Sequence, residues 1–71
     1  MTSFVVDVFS VNSKNDIRKK RLEADTLESA LKMIEVHSMA PYVMRIVISR
    51  RLGDSGHKVS KMKVWVRNMA S

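Results

Sequence analysis

Apolar and polar positions alternate along most of this chain, with one interruption at helical spacing. Phe4, Val6 and Val8 alternate with Val5, Asp7 and Phe9, so residues 4–11 predict a β-strand rich in β-branched side chains. Asn12-Ser13-Lys14-Asn15-Asp16 reads as a turn, because Asn, Asp and Ser bond their own backbone. Residues 17–24 predict a second strand, with Leu22 and Ala24 on one side and Lys19, Arg21 and Glu23 on the other. Two strands joined by a short polar turn predict a hairpin.

The period then changes. Leu27, Ala30, Leu31 and Ile34 recur at i, i+3, i+4 and i+7, one apolar stripe of a helix. Asp25 and Glu28 have capping-box spacing, with Thr26 as the competing N-cap, and Glu28–Lys32 is an i,i+4 pair in the favourable order. Pro41 disfavours helical geometry at Ala40, so the helix should stop near Ser38 or Met39. Alternation returns over residues 42–52, with Met44, Ile46 and Ile48 opposite Arg45, Val47, Ser49 and Arg51. Gly53-Asp54-Ser55-Gly56 predicts a turn, both glycines tolerating positive φ. Residues 59–68 predict a fourth strand, with Met62, Val64 and Val66 opposite Lys61, Lys63, Trp65 and Arg67.

Strand, strand, helix, strand, strand is an α+β order, ββαββ. A single helix must lay its stripe on a sheet, so the expected architecture is a four-stranded antiparallel sheet with the helix on one face. The expected core is Phe4, Val6, Val8, Leu22, Ala24, Leu27, Ala30, Leu31, Ile34, Met44, Ile46, Ile48, Met62, Val64 and Val66. The opposite face stays open. It would collect Lys19, Arg21, Arg45, Arg51, Lys61, Lys63 and Arg67 with Val5, Phe9, Val47 and Trp65. A bulge or one-residue slip would reverse the last strand, sending Trp65 inward and Val64 out.

Length bounds the rest. Seventy-one residues make one small domain with a marginal core, and Cys 0 removes disulfides, thiolate metal sites and cysteine nucleophiles. Hydrophobic residues at 45% and charged residues at 28% describe a folded chain. The N-terminus has no basic targeting region, and no apolar run reaches a membrane span, so a cytoplasmic protein without a membrane partner is expected. The formal net charge is +6. Residues 1–40 carry six cations against six carboxylates, whereas residues 41–71 carry seven cations against Asp54 alone. A field so uneven orients an anionic partner, although charge of this size also serves plain solubility.

Trp65, set among Lys61, Lys63 and Arg67, fits base stacking with phosphate contacts, a hot spot in a basic rim, or a half-buried packing role. Phe9, beside Val5 and Val11, fits the same surface or a dimer seam. The run Arg18-Lys19-Lys20-Arg21 splits between two faces of its strand and also serves to block edge-to-edge pairing. Asp7 could pair with an open-face cation. His37 and His57 stand in different elements without Cys, so no metal site is expected, and His37 suits the helix C-terminus. Glycine-rich phosphate loops, GxSxG and HExxH motifs are absent from the sequence, so neither an enzyme nor a cofactor is expected. Of six Met, Met33, Met39 and Met69 fit adaptable contacts outside the core or, the favoured reading, gap-filling.

Residues 21–31 read Arg-Leu-Glu-Ala-Asp-Thr-Leu-Glu-Ser-Ala-Leu, a strand end, a cap and an amphipathic helix. This junction, with the size and charge of the chain, resembles small phage-encoded α+β regulators of host machinery. The resemblance implies binding to a host enzyme, RNA polymerase among them, and no catalysis. The expected function is therefore docking on an acidic protein surface of a nucleic-acid-handling enzyme, modulating transcription. The expected contact residues are Trp65, Lys61, Lys63, Arg67, Arg45, Arg51, Phe9, Lys19 and Arg21. The alternatives are direct RNA or DNA binding by the same face, or a structural homodimer in place of a monomer.

Overall fold

The β-branched, alternating segments form the four strands, and the computed structural model describes residues 3–52 and 58–67 of the chain. The strands are β1 (Phe4–Val11), β2 (Ile17–Ala24), β3 (Val43–Leu52) and β4 (Lys58–Val66), with helix α1 (Leu27–Ser38) between the hairpins. All pairings are antiparallel and the sheet order is β2-β1-β3-β4, so the two hairpins join through their first strands. The fold is α+β in ββαββ order, as expected.

The first hairpin closes through Asn12, whose Oδ1 accepts from the amides of Lys14 and Asp16 at 2.9 Å each. Asn15 takes φ 65°, the left-handed region that Asn tolerates. Thr26, rather than Asp25, caps α1: its Oγ1 accepts from Ser29 N–H at 3.1 Å. The glycine-bearing turn expected at residues 53–56 lies outside the described residues, as do His57, Asn68 and Met69.

The core lies between α1 and one side of the sheet. Val6, Val8, Ala24, Ala30, Val43, Ile46 and Ile48 are buried there, with Phe4, Leu22, Met33, Ile34, Ala40 and Trp65 packed against them. Several expectations are corrected. Met62, Val64 and Val66 are exposed, and Trp65 takes the inward position. Val43 fills the place expected for half-buried Met44, because the β1–β3 register shifts between Phe9 and Ser10. The helix turns Ala30, Met33 and Ile34 inward, so Met33 joins the core while Leu27 and Leu31 remain partly exposed at its flank.

Candidate partner-binding face

Paired residues in an antiparallel ladder share a face, so the register fixes what stands on each side of the sheet. On the side away from α1, Lys19, Phe9, Arg45 and Val66 form one row across the four strands. Arg21, Asp7, Val47 and Val64 form the next, and Glu23, Val5, Ser49 and Lys61 the one after. Arg51 pairs with Val59 beyond them. This face therefore carries Lys19, Arg21, Arg45, Arg51, Lys61 and Phe9 of the expected contact set.

Lys63, Trp65 and Arg67 are not on it. Lys63 pairs with Ile48 and Trp65 with Ile46, both core positions, so these side chains stand on the α1 side. The β3–β4 register shifts between Ile48 and Ser49, where β4 holds an extra residue. That bulge keeps Lys61 on the open face while Lys63, two residues later, turns the other way. The physical reason is area. An indole buries far more apolar surface than Val, while Lys63 at the outer strand can lay its stem over Ile48 and keep its ammonium in water.

Arg67 completes the inward turn. Its guanidinium donates to the carbonyls of Ser38 (2.6 Å), Ala40 (2.9 Å) and Val43 (2.8 Å), and lies 5.1 Å from the centroid of the Trp65 ring. It ties the end of β4 to the α1 C-terminus and the start of β3. Arg67 is thus a structural side chain, which its lone cationic character in the sequence did not reveal.

No element packs over the open face among the described residues, yet its centre is enclosed. Val5, Asp7, Val47 and Ser49 are all buried. The cover is the face's own long side chains. Arg21 Nε donates to Asp7 Oδ1 at 2.9 Å, Arg51 pairs with Glu23 across the strand between them, and the Arg45 guanidinium sits 5.4 Å from the Phe9 centroid. Asp7 raises the pKa of Arg21 above its ordinary value, through the hydrogen bond first and charge attraction second.

The outer part of the face is both apolar and cationic. Val59 is 41% exposed, Met62 47%, Val64 44% and Val66 62%. Alternation alone conceals the exposure of Met62, Val64 and Val66, because their spacing assigns them to the core; the area of one Trp against three smaller side chains is the signal that points the other way. Five cations stand on this face against the carboxylates of Asp7 and Glu23, both committed to internal pairs. On the other side Arg50, Lys58 and Lys63 are also exposed, so the positive charge is not confined to one face.

Comparison with protein-family models, curated proteins and solved structures finds no match for this chain. No helix among the described residues is long and apolar enough to cross a membrane. Those residues contain no group of three or more His, Cys, Asp and Glu that could hold a metal ion.

Proposed function

We propose that this chain is a non-enzymatic binding protein that grips an acidic protein surface through the open face of its sheet. One observation carries the reading: a sheet face with no element over it among the described residues, on which Arg45 and Lys61 border exposed Val59, Val64 and Val66 of β4, and Lys19 and Arg21 add charge on the far strand. Exposed apolar side chains with cations beside them match a protein partner, whose interface buries apolar surface next to polar groups. Direct nucleic-acid binding is less well supported. Trp65 stands on the α1 side, and the aromatic ring left on the open face, Phe9, is already covered by Arg45. The resemblance of residues 21–31 to phage regulators puts nucleic-acid-handling enzymes first among partners, with RNA polymerase and control of transcription as the leading case.

The test places a photo-crosslinking residue in turn at Val66, on the open face in the row of Arg45 and Lys19, and at Val36, exposed on α1, with the chain expressed in its own cells. A protein adduct from Val66 alone, lost in Lys19→Glu/Arg45→Glu, is the expected result. Adducts from Val36 alone, or equally from both positions, overturn the reading. A nucleic-acid adduct from Val66 promotes the runner-up. Its affinity should then fall linearly with salt on logarithmic axes, by roughly 10³-fold or more between about 50 and 200 mM if six or more phosphates are contacted.

A further inference from the structure

We propose that the free edge of β4 takes up an extended acidic segment of the partner as a fifth strand of the sheet. The proposal rests on the reading of the chain as a binder of acidic proteins and names the form in which the partner is held.

The backbone decides which groups are available. Arg67 N–H donates to Met44 C=O at 2.9 Å, which makes Arg45 and Val66 a non-hydrogen-bonded pair. With the strand's period of two, Trp65 exchanges its bonds with Ile46, while the N–H and C=O groups of Val64 and Val66 point away from β3. β4 is an outer strand, so those groups face the open edge. The same two residues expose apolar side chains on the open face, so the ladder and the side-chain row coincide. A strand added here would set apolar residues against Val64 and Val66 on one face and carboxylates against Lys63 on the other.

A second copy of the chain does not fit this edge. Antiparallel pairing of β4 with its own copy brings Lys61 and Lys63 close to their counterparts. Pairing with β2 of another copy brings them against the run of cations from Arg18 to Arg21. Like charges directly opposite destabilise a ladder, so the occupant must carry the opposite sign.

The experiment uses the full chain and a synthetic peptide of about ten residues alternating Val and Asp, the length of an ordinary strand. Amide hydrogen exchange is followed residue by residue with and without peptide. At saturation, exchange at Val64 and Val66 should slow by roughly tenfold or more, with β2 unchanged. A peptide N-methylated at every second residue should bind at least about tenfold more weakly, a loss of about 1.4 kcal/mol. Val64→Pro removes an outward N–H without breaking a bond to β3 and should have the same effect. The methylated peptide makes the comparison even if that variant does not fold.

Binding that Lys19→Glu/Arg45→Glu weakens, but that leaves Val64 and Val66 exchange unchanged and ignores N-methylation, overturns the fifth strand while the open-face reading stands. Protection along β2, or protection that grows with protein concentration in the absence of peptide, overturns it in favour of the other edge or a second copy. If neither peptide binds, the fifth strand is overturned, and the open-face reading is decided separately by the Val66 and Val36 crosslinks.

Discussion

Arg67 gathers three carbonyls from two places in the chain: Ser38 and Ala40 at and just beyond the end of α1, and Val43 at the start of β3. A planar fork serves three acceptors in fixed directions, which a lysine ammonium on a flexible stem cannot reproduce. Arg67→Lys should therefore destabilise the fold by about 1.5–3 kcal/mol, the range for losing hydrogen bonds to a charged group. Urea unfolding followed by Trp65 fluorescence measures it, and an unchanged midpoint would remove Arg67 from its structural role. The Asp7–Arg21 pair works differently, since Arg21 remains half exposed while Asp7 is shielded. Asp7 raises the Arg21 pKa, so the stability linked to Arg21 titration is fully present below the ordinary arginine range and is lost only as pH rises through the raised value. Stability arising from Arg21 titration should thus be flat across neutral pH.

At the scale of elements, the strands, the helix and their order were legible because apolar periodicity is local and strong. The cap was nearly so: Thr26 and Asp25 both have the right chemistry, and only backbone geometry decides between them. The faces of β4 were not legible, because a strand with hydrophobes at one parity and a Trp at the other offers two comparable solutions. The choice depends on a bulge, on Arg67 finding carbonyls from two other elements, and on the area of one indole, and all three are tertiary. The inward face predicts an asymmetry that alternation would reverse. Trp65→Ala should cost about 3–5 kcal/mol, or somewhat less for a half-buried ring, whereas Val64→Ala should fall within about 0.5 kcal/mol of the parent. Equal costs, or a larger cost at Val64, would return β4 to the register the sequence pattern favours. The helix makes a second point at this scale. Ala30 is fully buried where α1 meets the sheet, so close approach depends on its small side chain. Ala30→Leu should lower stability by about 1–3 kcal/mol through overpacking, read as a lower thermal midpoint.

For the molecule as a whole, the uneven charge of the sequence becomes a statement about edges. Both outer strands are cationic: β2 through Arg18, Lys19, Lys20 and Arg21, and β4 through Lys58, Lys61 and Lys63. A small sheet whose two outer strands have no partner among the described residues, and which exposes apolar side chains, would otherwise stack into larger sheets, and like charge is a common way of preventing this. On the proposed reading, the same charges that admit an acidic segment also exclude copies of the chain. Lys61→Glu/Lys63→Glu should undo the exclusion, because the altered β4 then complements β2 of a neighbour, with Lys61→Glu facing Lys19 and Arg21 and Lys63→Glu facing Arg18 and Lys20. That contact is head-to-tail, so association should continue beyond a dimer. In sedimentation velocity over about 10–200 µM, a range that would reveal micromolar self-association, the parent chain should remain one species. The variant's mean sedimentation coefficient should climb with concentration and fall back in high salt, as screening weakens the new pairs. A parent chain that already self-associates at low salt would show that the edges are not held apart by charge, and the argument for an acidic occupant would fail with it.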